Sequence, residues 1–191
     1  MTGREKPRKR CRRYDVPWHA HYLTFSCFRK QPFFAGERAP LWFLEALDVA
    51  RRREPFDLWA YVIMPEHVHV VILPAAGARI SGILRAIKKP VADRALGWVL
   101  QSAPSFLPRM EQRRPSGKVI RRFWQAGGGY DRNLRSVHDV HEKVEYTHAN
   151  PVRRGLVGDP GEWPWSSWRS WAEGTDEPIR IDRESFPPLR P

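Results

Sequence analysis

The chain has 191 residues, 41% of them hydrophobic, with nine Trp and nine Phe, enough for one domain with a real core and too apolar for a disordered tail. Lys and Arg total 33 against 21 Asp and Glu, giving +12 and a pI near 10.4, which points to a polyanionic partner, nucleic acid before membrane. No apolar run approaches the roughly 20 residues that span a bilayer, no apolar leader core follows the basic N-terminus, and Cys11 and Cys27 form no C-x-x-C or zinc-finger spacing. A soluble protein of the reducing cytoplasm, without a disulfide framework, is expected.

Residues 1–14 read as a basic arm, with Arg4, Lys6, Arg8, Lys9, Arg10, Arg12 and Arg13 and almost nothing apolar. Such a segment is expected to be disordered when free and to follow a phosphate backbone on DNA; the plain alternative is a solvated tail. HYLTFSCF, 21–28, alternates as a first strand. Leu41, Leu44, Ala46, Leu47 and Ala50 recur at helical spacing, predicting a helix over 38–53 whose closing arginines suit the negative pole. LWAYVIMPEHVHVVILP, 58–74, is two apolar strands broken at Met64-Pro65-Glu66. A second helix is predicted over 79–100, with Ile80, Ile83, Leu84, Ile87 and Val91 on one side, Arg85, Lys88 and Lys89 elsewhere, and Pro90 kinking or dividing it. Residues 101–117 lack periodicity and read as a loop; Arg109, Arg113, Arg114, Lys118, Arg121 and Arg122 make a second basic cluster. FWQAGGGYDRNL, 123–134, is strand-like but interrupted by three glycines. Ser136 is expected to cap a third helix running to Asn150 and closed by Pro151 and Gly155. Trp163, Trp165, Trp168 and Trp171 read as packing over the core, with base stacking as the alternative, and the Pro-rich ending after Glu177 as loose.

This order of elements predicts an α+β fold of ferredoxin-like type, an antiparallel sheet with helices packed on one face and histidines looking out from the other. Along a strand alternate side chains share a face, so His67 and His69 point the same way and can grip one divalent ion. Tyr146 and Asn150 are four apart and share a face of the third helix near its end. The ordinary reading of Tyr146 from spacing alone is a half-buried helix tyrosine. Glu66 can accept a hydrogen bond that orients one of the histidines or assist a proton transfer, but its neighbouring strand position should turn it away from both imidazoles. Tyr130, after a triglycine able to cradle phosphate, is the rival nucleophile, although a bulge explains the glycines as well. His138, His141 and His148 read as helix-surface histidines, with a role as ligands the alternative.

YVIMPEHVHVVILP, then FWQ, then VEYTHANPVRRGLV together resemble the REP-associated tyrosine transposases of the single-tyrosine HUH superfamily, over roughly residues 15–170. The resemblance implies an HUH endonuclease fold that cleaves and rejoins single-stranded DNA with a metal, Mg²⁺ or Mn²⁺, and a tyrosine. It assigns His67 and His69 as paired metal ligands, Tyr146 as nucleophile and Asn150 as the polar residue completing the metal site, so every catalytic position is filled. The Gly127-Gly128-Gly129-Tyr130 stretch belongs to only part of that family. A tyrosine that attacks a phosphodiester conserves its bond energy as phosphotyrosine, leaving a 5′-phosphotyrosine adduct and a free 3′-OH that can be rejoined without ATP.

The expected organisation is a basic arm over 1–14, a catalytic domain over 15–160, and an aromatic extension with a tail over 161–191. The expected DNA contacts are Arg8, Arg10, Arg12, Arg13, Lys88, Lys89, Arg113, Arg114, Arg121 and Arg122, on single-stranded or hairpin DNA, by a monomer with a dimer as the alternative. The competing functions are a DNA-binding protein that no longer cleaves and a metal-dependent phosphoesterase using water.

Overall fold

The structure, a computed structural model, describes residues 15–189. The basic arm, with Arg8, Arg10, Arg12, Arg13 and Cys11, lies outside the described residues. In chain order the elements are β1 (Ala20–Ser26), α1 (Arg38–Arg53), β2 (Phe56–Met64), β3 (His67–Pro74), α2 (Ile80–Ser102), the single turn α3 (Leu107–Met110), β4 (Glu111–Arg113), β5 (Val119–Arg121), β6 (Tyr130–Leu134), α4 (Val137–Arg153) and α5 (Trp168–Ala172).

Among the described residues the main sheet has the order β2-β3-β1-β6, every neighbour antiparallel, which is the ferredoxin-like arrangement. Pleating divides each strand between two cores. Leu23 and Phe25 of β1 and Val68, Val70 and Ile72 of β3 face α1 and α2, and bury against Phe43, Leu47, Ile83 and Ile87. Tyr22, Ala60, Val71 and Leu134 face the other way, onto Val140 and Val144 of α4. Two helices therefore cover one face as expected, while the third crosses the histidine face. The reason lies in both partners: β2 and β3 are apolar on both faces, and α4 carries its own stripe of Val140, Val144 and Thr147 to bury.

Several local expectations change. α2 runs unbroken through Pro90, which sits on its exposed side, where the carbonyl one turn back that loses its donor can be hydrated. The stretch read as a loop contains α3 and β4, which forms a hairpin with β5 just beyond it, strands of three residues each, too short for alternation to register. Of 123–134 only β6 joins the sheet, and Phe123 and Trp124 turn inward as core. Ser136 does cap α4, its hydroxyl accepting from the Asp139 amide at 3.0 Å, but the helix continues through Pro151 to Arg153.

The ending after Glu177 is packed, not loose. Ile179 and Ile181 enter the core, and Asp182 accepts from Arg51 at 2.5 Å and from the Leu58 amide at 2.7 Å. Together with the tryptophan-rich segment it covers the outer edge of β2. The Ile63 amide donates to Trp165 O at 2.8 Å and the Asp182 amide to Leu58 O at 2.9 Å. The indoles of Trp163 and Trp171 donate to Ile63 O and Trp59 O at 3.0 and 2.9 Å. An open strand edge invites pairing with other chains, and this covering removes it. Cys27 is buried as a free thiol. Among the described residues no helix is long and apolar enough to cross a membrane.

Candidate active site

β3 places His67 at its first residue and His69 two further on, on the face that α4 crosses. Their Nε2 atoms converge to 2.9 Å. Two nitrogens each about 2.1 Å from one ion, at a right angle, lie about 3.0 Å apart, so this spacing suits a shared divalent ion. Asn150, buried on α4, brings its amide nitrogen to 3.3 Å from His69 Nε2, and a half-turn of that amide presents its oxygen in the same place. Among the described residues no group of three or more His, Cys, Asp and Glu side chains is placed to hold a metal. The donor set that fits is two imidazoles and one amide.

The far side of each ring is held. Glu66 lies in the β2–β3 turn rather than on a strand, and its carboxylate reaches His67 Nδ1 at 3.1 Å. The expectation that it turns away from the histidines is therefore corrected. A turn does not impose strand alternation. Arg154, just past α4, donates to the same carboxylate oxygen at 2.8 Å and ties the helix end to the turn. His69 Nδ1 meets Tyr22 Oη at 2.6 Å and Thr24 Oγ1 at 2.7 Å. The β1–β3 register sets Thr24 opposite His69 and so supplies these hydroxyls.

Electrostatics favour neutral imidazoles and an ionised carboxyl. Burial lowers the pKa of His67, against the upward pull of Glu66, and lowers that of His69 to about 3. Burial opposes ionisation of Glu66, but hydrogen bonds and charge from Arg154 and His67 outweigh it and hold its pKa below the ordinary range. Neutral imidazole is the form that binds metal. Burial also raises the Tyr22 hydroxyl well above its usual pKa, so it stays protonated.

Tyr146 sits one helical turn before Asn150, half-buried, its ring centroid 6.0 Å from that of His69 and 6.1 Å from that of Tyr22, both edge-on. Lys143 Nζ and the Arg153 guanidinium lie 5.5 and 5.1 Å from the centre of the Tyr146 ring. Tyr130, at the head of β6, is 54% exposed and touches Tyr22 edge-on at 6.2 Å. The fold thus brings His67, His69, Asn150, Tyr146, Glu66 and Tyr130 into one neighbourhood. Nothing in the sequence marks Tyr22, Thr24 or Arg154, because their place depends on strand register and on the helix crossing. Two of the helix histidines are not surface groups: His148 is buried on Ser167 at 2.9 Å, and His141 Nε2 is 2.8 Å from the Pro187 carbonyl oxygen. The basic residues form separate groups. Arg113, Arg114, Arg121 and Arg122 lie on or beside the β4–β5 hairpin, Arg121 reaching Glu111 and Arg122 reaching Gln112, and Lys88 and Lys89 lie on α2.

The ferredoxin-like sheet thus carries paired histidines on an inner strand and faces them with a tyrosine on a crossing helix. In sequence the chain is similar to the REP-associated tyrosine transposases. It is 28% identical to the REP-associated tyrosine transposase of Escherichia coli K12 over 124 residues, covering 64% of this chain and 61% of that protein. It is 28% identical to a putative REP-associated tyrosine transposase of Haemophilus influenzae over 114 residues, covering 60% of each. The chain therefore spans about three fifths of the length of these curated relatives. No protein-family model matches it. In fold it resembles a REP-associated tyrosine transposase solved bound to a REP hairpin, with a TM-score of 0.66 at 23% identity, covering 96% of this chain and 99% of the other.

Proposed function

We propose that this protein is a transposase-like enzyme that nicks and rejoins single-stranded DNA at hairpin-forming repeats through a covalent link to Tyr146. It acts as a monomer in the cytoplasm, and residues 15–160 form its catalytic part, completed by the packed segment that brings Ile179 and Ile181 into the same core. The observation that carries the reading is the convergence of the His67 and His69 Nε2 atoms, 2.9 Å apart, beside a tyrosine and an asparagine one turn apart on α4. A hydrogen bond between the two rings would account for the 2.9 Å by itself; the reading is favoured because Glu66, Tyr22 and Thr24 also hold the outer nitrogens and the Asn150 amide lies beside the inner ones.

His67, His69 and Asn150 would hold a divalent ion, Mg²⁺ or Mn²⁺. Such an ion, when bound, polarises the scissile phosphate and offsets the charge that develops during displacement. The remaining work belongs to the chain. Glu66 accepts from His67 Nδ1–H, and the hydroxyls of Tyr22 and Thr24 face His69 Nδ1, which fixes both rings with Nε2 inward. Arg153 over the Tyr146 ring, with Lys143, itself paired with Glu142, supplies positive charge where a phosphodiester must approach. Tyr146 Oη loses its proton and attacks phosphorus. The bond from phosphorus to the 3′ oxygen breaks, and that oxygen takes up a proton as a free 3′-OH. The downstream strand is left joined to Oη through its 5′ phosphate. Attack by a 3′-OH on the phosphotyrosine reverses each step and restores the phenol. The charge of +12 supports a polyanionic substrate. Outside the described residues, the arm with Arg8, Arg10, Arg12 and Arg13 adds to the same attraction.

The test is cleavage of a labelled hairpin oligonucleotide with unpaired flanks, against a blunt duplex of equal length, with Mn²⁺ or with EDTA. Divalent-dependent nicking confined to the unpaired strand supports the proposal. Binding without cleavage would leave a DNA-binding protein, and cleavage in EDTA would remove the metal.

A further inference from the structure

A second feature adjoins the site without belonging to it. Between α2 and the turn at Gly127 runs a groove of about 350 Å³, lined among others by Arg85, Lys88, Lys89 and Trp124. Lys88 forms its floor, with Nζ 3.2 Å from Gly127 O and over the rings of Phe25 and Trp124 at 5.3 and 5.5 Å. Arg85 and Lys89 stand exposed on the same helix, and Asp93 is the acid paired with Lys89. Gly127 has φ +98°, and among the described residues nothing lies within 4 Å of where a Cβ would stand, so its backbone opens onto the surface. Two residues on, Gly129 is pressed against β1: a Cβ there would lie 2.1 Å from Thr24 O. The glycine wall is thus clamped to the strand that carries Tyr22 and Thr24, and the next residue is the exposed Tyr130. The groove opens on the α2 face of the sheet, and the segment from Gly127 to Tyr130 rounds the edge of β1 to the histidine face, where Tyr130 touches Tyr22 edge-on at 6.2 Å.

We propose that this groove carries the phosphodiester backbone of the unpaired strand adjoining the scissile phosphate, and that Tyr130 stacks on a base of that strand as it turns into the site. The inference rests on the DNA reading above and extends it. Cations spaced along a groove follow a phosphate chain, and an exposed aromatic side chain accepts any base face without reading its sequence. Tyr130 is on this account a platform and not the nucleophile. The triglycine is needed because Gly129 leaves no room for a side chain and Gly127 adopts a backbone that L-residues avoid.

The experiment measures binding of the full chain to a hairpin oligonucleotide with a single-stranded extension on its 5′ side, on its 3′ side, or on neither. For wild type one extension should strengthen binding. In the double variant Arg85→Ala/Lys89→Ala the ratio of extended to unextended affinity should fall towards one, and the salt slope for the extended oligonucleotide should flatten by about 1.4, at roughly 0.7 for each lost single-strand contact. A 2-aminopurine placed along the extension should be quenched at one position. Tyr130→Ala should remove that quenching and weaken extended binding about fivefold or more, while Tyr130→Phe preserves both. If the variants leave ratio, slope and quenching unchanged while the hairpin still binds, the groove assignment is overturned and the DNA reading stands. If wild type binds no oligonucleotide at all, both fall together.

Discussion

Tyr22→Phe isolates the support behind the metal site. For His69 Nε2 to offer a lone pair inward, the ring proton must sit on Nδ1, where two hydroxyls wait at 2.6 Å (Tyr22) and 2.7 Å (Thr24). The substitution removes one acceptor and keeps the ring, which stacks on His69 at 5.4 Å and 12°. Loss of such a partner usually costs about 10–100-fold in metal affinity. Because Thr24 remains, the low end applies: about tenfold, or about 1.4 kcal/mol. Tyr22→Phe/Thr24→Val removes both acceptors and should approach about a hundredfold. Calorimetric titration with Mn²⁺ measures this without DNA, and a urea melt of each variant checks that the fold survives. Wild-type Mn²⁺ affinity in the folded double variant would refute the claim that these hydroxyls orient His69.

His67→Ala and His69→Ala should each abolish divalent-dependent cleavage and leave hairpin binding within a fewfold of wild type, measured on the same oligonucleotide. Tyr61→Phe should be neutral or should stabilise by about 1 kcal/mol in a denaturant melt, because the Tyr61 hydroxyl is fully buried and among the described residues has no hydrogen-bond partner; a loss of more than that would mean it is satisfied after all. Burial lowers the pKa of His148 to about 4. The unfolded chain takes up that proton near pH 6.5, so the contribution is complete above about 6.5 and declines as pH falls towards 4, by up to about 3 kcal/mol. His148→Gln should flatten the stability profile in that window, measured in EDTA, and an unchanged slope would place its origin elsewhere.

The parts that periodicity encodes were legible in the sequence. α1 lies at 38–53 as its apolar spacing predicts, and the alternation of β3 puts His67 and His69 on one face. Val70 to Leu73 are apolar on both faces, but the expected arrangement left the histidine face open, and it is α4 that covers it. The neighbours of the histidines were not legible. Thr24 reaches His69 only through the β1–β3 register, and Arg154 reaches Glu66 only because α4 crosses that face. Glu66 misled because strand alternation was extended into a turn. The Pro-rich ending looked loose because proline marks chain breaks, whereas here its neighbours Ile179, Ile181 and Asp182 dock on β2. Tyr146 shows the limit most clearly. Its spacing alone describes an ordinary helix tyrosine, and only its place beside His69 separates it from one.

The central claim is that Tyr146 Oη becomes bonded to DNA. An oligonucleotide labelled at its 3′ end, incubated with protein and Mn²⁺ and run in SDS, reports this directly, because the strand retained on the enzyme is joined through its 5′ phosphate. Wild type should give a labelled band at the mass of protein plus the downstream strand, and peptide mapping should place it on Tyr146. Tyr146→Phe should give neither band nor cleavage while binding DNA normally, and Tyr130→Phe should keep the band. A band that survives Tyr146→Phe and vanishes with Tyr130→Phe would move the nucleophile to β6, and cleavage by wild type with no band at all would make water the nucleophile.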